Sequence, residues 1–232
     1  MKNKLRFSVV LVMGFMLISV SGCKKDDSTI TPTPTPSSPL AHDVDGNVYH
    51  TVVIGTQTWM VENLKVTHFR NGDPIVHQRD ASIWSSIYTG LYTNYNNLAA
   101  TGETYGRLYN WYAAMEGPVL APEGWHIPTS TEVQTLIDYL GGSAVAGGKL
   151  KESGTAHWLA PNTDGSGFSA LPAGVIAMDT FVLFGSGCIF WTATEYDVDY
   201  AWAFGLNNGD AGANKTEYGK VLGFSIRCIK DN

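Results

Sequence analysis

The pattern of apolar and polar residues is most regular in the middle of the chain, where it predicts a helix over residues 129–140. The apolar positions recur at helical spacing, at Val133, Leu136, Ile137 and Leu140. Thr129 and Glu132 stand three residues apart and can each satisfy a backbone N–H of the first turn, and Gly141 supplies a left-handed end. A short buried strand over 125–127 precedes this helix, so we expect the helix to pack on a sheet.

Alternation of apolar and polar residues predicts strands on both sides of this helix. Before it, residues 49–54 and 55–60 are typical of the two arms of a hairpin, and residues 108–115 carry a second, shorter helical face. Residues 147–152 are expected to form a turn or a short helix. The later strand patterns cover 174–177, 188–192, 201–206 and 223–229. Strands at this spacing after a helical middle predict an α+β domain with antiparallel sheets and two or three helices.

The first 22 residues differ from everything that follows. Three basic residues, Lys2, Lys4 and Arg6, precede an apolar run over residues 7–20. This run is shorter than the roughly 20 apolar residues that cross a hydrocarbon core. The pattern therefore predicts a secretory signal peptide over 1–22. A linker is expected over 23–40, and the folded domain over 41–232.

The residues that end at Cys23 resemble a bacterial lipobox, in which a cysteine becomes the acylated N-terminus. This resemblance implies that acyl chains on Cys23 hold the protein on a membrane. Residues 24–27, Lys-Lys-Asp-Asp, resemble the tag that sends Bacteroidetes lipoproteins to the cell surface. We therefore expect a lipid-anchored protein of the outer membrane or cell surface. Alternating threonine and proline over 31–36 predicts an extended, disordered spacer between anchor and domain.

Charge and cysteine content narrow the range of partners. The chain has 15 Lys and Arg against 21 Asp and Glu, and loss of residues 1–22 removes three basic groups, which gives 12 − 21 = −9. Because nucleic-acid binding needs clustered Lys and Arg to neutralise phosphates, we expect no nucleic-acid partner. With Cys23 acylated, Cys188 and Cys228 remain as a candidate disulfide of an exported protein. Their spacing leaves open whether they are joined or free.

The irregular region 71–102 holds four candidate ligand-binding residues, which are Tyr88, Tyr92, Asn94 and Tyr95. Aromatic rings stack on sugars or peptides, and amides donate and accept hydrogen bonds, although such loops also pack on themselves. Asp43, Asp45 and Asn47 have the spacing that opens a calcium loop. The glutamate at the twelfth position and the flanking helices are missing, so we interpret these residues as a turn.

No pattern in the sequence indicates a catalytic centre. The sequence lacks the metalloprotease, nucleophile-elbow and phosphate-loop motifs. We interpret His126 as a hydrogen-bonded structural residue, and Glu195 and Asp197 as exposed turn acids. We therefore expect no catalytic residue, no metal ligand and no cofactor.

Six sequence blocks, in order, resemble the Fibrobacter succinogenes major paralogous domain family over about residues 42–232. The blocks are Asp43–Leu64, Gly106–Trp111, Gly124–Thr129, Gly167–Gly174, Trp191–Glu195 and Gly223–Cys228. The resemblance implies a C-type lectin-like fold, which is similar to that of formylglycine-generating enzymes that use cysteines and copper. Family members often carry a cysteine at the position of Ala121. Its absence leaves Cys188 as a substitute partner for Cys228, or leaves both thiols free.

The resemblance and the N-terminal pattern together predict a function class. We expect a membrane-anchored surface lipoprotein that acts as a non-enzymatic binding or display module, with a glycan or a surface protein as its ligand. The alternative is an enzyme, either of the formylglycine-generating fold group or one active on carbohydrates. The blocks that carry calcium and sugar in C-type lectins are absent, so fold alone does not transfer that activity.

Overall fold

A computed structural model of the chain describes residues 40–115, 117–160 and 162–232. The expected signal peptide over 1–22, the acylation site Cys23 and the Thr-Pro spacer lie outside the described residues.

The described residues form short strands and a few helices. The strands are β1 (Ala41–His42), β2 (Val48–Tyr49), β3 (Thr51–Ile54), β4 (Gln57–Met60), β5 (Val76–His77), β6 (Leu91–Thr93), β7 (Leu108–Tyr109), β8 (Trp125–His126), β9 (Ala173–Ala177), β10 (Thr180–Phe184), β11 (Gly187–Glu195), β12 (Tyr200–Asn207), β13 (Asn214–Gly219) and β14 (Ile229–Lys230). The α-helices are α1 (Ala99–Tyr105), α2 (Trp111–Met115), α3 (Ser130–Tyr139) and α4 (Ser143–Leu150), and 3-10 helices span Ala81–Ser86 and Tyr95–Asn97.

The largest sheet has five strands in the order β10-β9-β11-β12-β13 and is antiparallel except where β11 meets β9. Successive side chains of β11 point to opposite faces, as a strand requires. Cys188 and Phe190 enter one core cluster together with α3, whereas Ile189 and Trp191 enter the other, beside α2. The sheet therefore separates two apolar cores.

Three smaller sheets complete the domain. One has the order β3-β4-β14-β8, so the last strand of the chain lies between an early strand and the strand that precedes α3. The others are β5-β6-β7, with β5 and β6 parallel, and the pair β1-β2. The predicted α+β class with mostly antiparallel sheets and few helices is confirmed, although the described residues form four α-helices where two or three were predicted.

The helix predicted over 129–140 is confirmed as α3. Oγ1 of Thr129 accepts a hydrogen bond from the backbone N–H of Glu132 at 3.2 Å, and the Glu132 carboxylate accepts one from the backbone N–H of Thr129 at 2.7 Å. Gly141 ends the helix with a φ of 103°. The predicted apolar stripe is buried, because α3 packs on β11 and β12.

Two predicted elements differ from the observed ones. The helical face expected over 108–115 is shorter, since residues 108–109 pair with β6 as β7 and the helix begins only at Trp111. The strand expected over 223–229 joins a ladder only at β14, while Gly223, Phe224 and Ser225 bridge three different neighbours. In both places, tertiary pairing overrides the local pattern.

The candidate disulfide between Cys188 and Cys228 is not formed in the structure, and both thiols are free and buried. They lie in different core clusters, Cys188 with Phe190 and Cys228 with Trp191. Burial raises the pKa of both thiols to about 12. Cys188 lies in strand β11 and Cys228 lies just before strand β14, and these two segments bring the thiols into separate cores.

Among the helices of the described ranges, none has the length and hydropathy that a membrane span requires.

Candidate functional site

The four residues predicted to bind ligand do not form one open surface. Tyr92 is only 8% exposed, because its ring stacks on His77 at a centroid distance of 4.6 Å and the Arg107 guanidinium lies 5.2 Å from the ring. Asn94 is buried and its Oδ1 accepts a hydrogen bond from Nη1 of Arg107 at 2.9 Å. These two side chains are internal.

The remaining two predicted residues have different surroundings. Tyr95 is half-buried in an aromatic cluster, where it stacks on Phe184 at 4.6 Å and lies 5.2 Å from Phe181. Tyr88 is 65% exposed and packs edge-on against Tyr112 at 6.0 Å. Of the predicted set, only Tyr88 presents most of its ring to solvent.

Tyr88 stands at the mouth of an aromatic hollow of about 280 Å³. Phe69, Tyr112 and Gly117 also line it, together with the exposed Val76. The rings of Tyr88 and the buried Tyr112 pack edge-on beside the hollow, and Gly117 lies against the Phe69 ring, where a β-carbon would be only 2.9 Å from the ring. Loops that are distant in sequence thus meet at this hollow.

A second hollow of about 270 Å³ borders the first at Gly117. Its described lining includes Met115, Val119, Leu120, Ile127 and three alanines, together with the polar side chains of His126 and Thr129. We call the two hollows together the Gly117 groove. Neither hollow is lined by Asp, Glu, Lys or Arg among the residues that the structure describes.

His126 uses both ring nitrogens in hydrogen bonds. Nδ1 lies 2.7 Å from Oδ1 of Asp231, and Nε2 lies 3.0 Å from Oε1 of Glu132. Burial alone would lower the pKa of His126, but the hydrogen bonds to Asp231 and Glu132 outweigh it and raise the pKa. A general base needs a free nitrogen. The geometry therefore fits the predicted structural histidine, held between the start of α3 and the end of β14.

We expect this arrangement to make stability depend on pH. The pKa of His126 is raised in the folded state. Its hydrogen bonds to Asp231 and Glu132 therefore stabilise the fold in full below the unfolded pKa of about 6.5, and this stabilisation is lost as pH rises through the folded pKa. Urea unfolding of the wild type and of His126→Gln should differ most near pH 6 and converge toward pH 9. A difference that stays constant across this range would contradict the prediction.

Arg227 is the most deeply buried cation of the described residues, at 1% exposure. Its Nε and Nη2 donate to Oδ1 of Asn63 at 3.0 and 2.5 Å, and Nη1 donates to the carbonyl oxygens of Phe168 and Met60. The guanidinium lies 4.3 Å from the Phe168 ring centroid. Burial lowers the pKa of Arg227 to about 10. Neutral acceptors and an aromatic face hold this cation in place.

A polar hollow of about 150 Å³ opens beside Arg227. Glu62 and Glu152 line it, and each carboxylate is hydrogen-bonded to a histidine, His50 at 2.6 Å and His157 at 2.7 Å. The hollow could hold only a small polar molecule. The sequence analysis did not predict this hollow. An arginine inside the apolar run Phe224–Ile229 could have indicated a buried cation with polar partners.

The other acidic residues considered from the sequence have structural partners. Asp43 accepts hydrogen bonds from the backbone of Asp45 and Asn47 and from the hydroxyl of Tyr49, as expected of a turn. Glu195 pairs with the buried Lys220, and Asp197 caps the backbone of its own hairpin. Within the described ranges, no group of three or more His, Cys, Asp or Glu could hold a metal ion.

Comparisons with known proteins give one match. The family model described as the Fibrobacter succinogenes major domain matches residues 52–230. No curated protein and no solved structure matches the chain.

Proposed function

The chain belongs to the Fibrobacter succinogenes major domain family, and we propose that it is a lipid-anchored, non-enzymatic binding module that holds its ligand in the Gly117 groove. In this proposal, acyl chains on Cys23 attach the protein to the outer membrane or cell surface. The Thr-Pro spacer then separates the binding domain from the bilayer.

The observation that carries the proposal is the open, apolar character of the groove. Val76, Tyr88, Met115 and Val119 are all exposed there, around hollows that together are large enough for side chains or rings of a ligand. Grouped apolar surface of this kind marks binding sites on soluble domains.

We also propose that the fold is C-type lectin-like. The mixed α+β class, the short strands with long connections and the pairing of β4 near the start with β14 at the end support this assignment. The fold carries no argument about calcium or sugar, since function depends on the residues of a site.

An enzyme remains the second candidate, and the polar hollow beside Arg227 is the observation that favours it. Glu62 and Glu152 would be its acids, with Tyr105 and Ser169 as hydrogen-bonding groups. Copper chemistry of the formylglycine-generating type fits poorly, because Cys188 and Cys228 lie in separate cores.

A matched pair of tyrosine variants tests the binding site. Tyr88 and Tyr139 are both 65% exposed, but only Tyr88 lines the groove. On glycan and peptide arrays, Tyr88→Ala should weaken binding of the best probe roughly tenfold, since losing a stacked ring costs about 0.5–1.5 kcal/mol beyond its buried area. Tyr139→Ala should bind as the wild type does. Equal effects of the two variants, or no binding to any probe, would refute the proposal.

The anchor is tested separately by Cys23→Ser. The variant should leave the membrane fraction, because acyl chains supply the attachment. Fractionation of cells that express the wild type and the variant measures this outcome. A variant that stays as firmly attached as the wild type would contradict lipidation at Cys23.

A further inference from the structure

An arginine stands beside each outer strand of the sheet β5-β6-β7, and the central strand β6 carries Tyr92. Arg79 follows β5 by two residues, and Arg107 immediately precedes β7. The Arg107 guanidinium lies 5.2 Å from the Tyr92 ring centroid, and the His77 ring stacks on the same tyrosine at 4.6 Å. Since side chains two residues apart share a face of a strand, Arg79 belongs to the face that carries His77. Two cations and an imidazole therefore lie around one aromatic ring.

Two further observations place Arg79 at this face. Its backbone carbonyl accepts a hydrogen bond from Nδ2 of Asn97 at 2.7 Å, and Oδ1 of Asn97 accepts one from the Thr93 hydroxyl at 3.1 Å, which ties Arg79 to the end of β6. The pKa of His77 is lowered, first by burial and then by the positive charges of Arg79 and Arg107. Both arginines therefore act on the same imidazole.

These groups have donors that the protein itself does not use. Nε of Arg107 donates to the carbonyl oxygen of Lys65 at 2.7 Å, and Nη1 donates to Oδ1 of Asn94 at 2.9 Å, so the guanidinium is fixed in place. Nη2 of Arg107 and the whole Arg79 guanidinium donate to no residue that the structure describes. Nε2 of His77 is buried and has no hydrogen-bond partner among these residues. Because buried polar atoms in native proteins normally have a partner, these groups indicate a site for a ligand with acceptor atoms.

The charge of the two arginines is not neutralised by ion pairs, although the domain is acidic. Residues 40–232 contain 10 Lys and Arg against 19 Asp and Glu. Even so, every ion pair within the described ranges has a histidine or Lys220 as its cation. Arg79 and Arg107 therefore remain available to a negatively charged ligand.

Three acids lie near these arginines without pairing with them. Asp45 raises the pKa of Tyr92, but its Oδ1 already lies 2.6 Å from Nδ1 of His68. Asp80 follows Arg79 in the chain, and its carboxylate accepts a hydrogen bond from the next 3-10 helix. Glu103 is exposed on α1 and forms no ion pair with a described residue. Two of the three carboxylates are thus engaged elsewhere, and the third points to no cation of this face.

We propose that Arg79, Arg107 and His77 form a site for an oxyanion, which is the carboxylate, sulfate or phosphate group of a small ligand. A guanidinium presents a planar fork of N–H donors that matches such groups, and charge-assisted hydrogen bonds are about twice as strong as neutral ones. The site is independent of the proposed function. Val76, the neighbour of His77, lines the Gly117 groove, but successive side chains of β5 point to opposite faces.

Nuclear magnetic resonance of the isotope-labelled full-length chain tests the site. The probes are inorganic phosphate, sulfate and glucuronate at constant ionic strength, with glucose as the neutral counterpart of glucuronate. We expect at least one oxyanion to shift the amide signals of His77, Tyr92 and Arg107 in a saturable way, and glucose to shift none of them. Added sodium chloride should weaken the binding. No shift with any of the three oxyanions, or equal shifts with glucose, would overturn the inference.

Two exposed cations provide a matched pair of variants. Arg79→Gln and Lys230→Gln each remove one positive charge, but Lys230 lies on strand β14 in another sheet. Arg79→Gln should raise the dissociation constant about fivefold, Arg107→Gln should raise it about tenfold or more, and Lys230→Gln should leave it unchanged. Since Arg79 is exposed, its variant should fold even if Arg107→Gln is unstable. Equal losses in Arg79→Gln and Lys230→Gln would show that net charge alone sets the binding, and would overturn the inference.

The groove variant separates this inference from the proposed function. Tyr88→Ala removes a ring of the Gly117 groove and should leave the oxyanion shifts unchanged. Shifts that vanish in Tyr88→Ala would place the oxyanion in the groove and overturn the inference.

Discussion

Replacing Arg227 with alanine is expected to lower the free energy of unfolding by about 3–5 kcal/mol. The change leaves Oδ1 of Asn63 and the carbonyl oxygens of Phe168 and Met60 without their donor inside the protein. It also opens a cavity against the Phe168 ring. Each buried acceptor that loses its partner costs about 1–3 kcal/mol, and relaxation around the cavity recovers only part of the total. Urea unfolding followed by far-ultraviolet circular dichroism measures the loss.

A second arginine serves as the control for this prediction. Arg79 is exposed, and Arg79→Ala should change the free energy of unfolding by no more than about 0.5 kcal/mol. Arg227→Lys should also destabilise the domain, because a lysine ammonium group cannot reproduce the planar guanidinium that donates to Asn63, Phe168 and Met60 at once. If the free energy of unfolding of Arg227→Ala lies within about 1 kcal/mol of the wild-type value, the hydrogen bonds of Arg227 do not hold the strands together.

The second large effect is expected at Gly147 in helix α4. A β-carbon on Gly147 would overlap the backbone carbonyl oxygen of Gly212, and backbone cannot move aside as a flexible side chain can. Gly147→Ala should therefore cost about 2–4 kcal/mol, from the overlap and from displacement of the loop that α4 packs against. Thermal and urea unfolding of the variant measure this loss.

The adjacent glycine is a control in the same helix. A β-carbon on Gly148 would come no closer than 3.7 Å to Ala211, an ordinary contact. Since alanine favours a helix by about 1 kcal/mol over glycine, Gly148→Ala should be neutral or slightly stabilising. Equal losses in the two variants would contradict the prediction, because only Gly147 lies against the carbonyl oxygen of Gly212.

Three of the six blocks that resemble the family meet at Arg227. Met60, Asn63, Phe168 and Arg227 itself fall within them, and all belong to one hydrogen-bonded network. A β-carbon on Gly106, from another block, would overlap the side chain of Asn63. These blocks therefore encode the core that joins the sheets. Of the groove residues, Tyr88, Met115 and Val119 fall outside the blocks, whereas His126, Ile127, Thr129 and Ala193 fall within them.

Local patterns predicted the elements whose signals are local. The N-terminal capping box, the buried apolar positions and the terminating Gly141 of helix α3 all lie within about a dozen residues. The sequence therefore predicts where this helix begins and ends. Strand β13 was missed because Asn214 and Lys215 have turn chemistry, and only pairing with β12 makes them extended. Strand β10 was missed because it is the exposed edge of its sheet. Its position depends on the turn at Met178 and Asp179, which both adopt positive φ.

The candidate site could not be predicted from the spacing of residues along the sequence. The groove is built from the regions around Phe69, Tyr88, Tyr112, Val119 and Ala193, which tertiary packing alone brings together. The tyrosines of the region 71–102 were all predicted to bind a ligand. In the structure, strand β6 turns Tyr92 inward, and among these tyrosines only Tyr88 lines the groove. The composition of this region correctly indicated tyrosine as an exposed residue type, but only the fold determines that Tyr88 is the accessible one.

Hydrogen–deuterium exchange of the full-length chain, with and without its tightest array probe, tests the central claim most directly. We predict slower exchange of backbone amides at residues 88–90, 112–115 and 117–121, which border the Gly117 groove, and unchanged exchange around the Arg227 hollow. Protection confined to residues 61–63, 104–105 and 169–171 would place the ligand in the polar hollow and contradict the account.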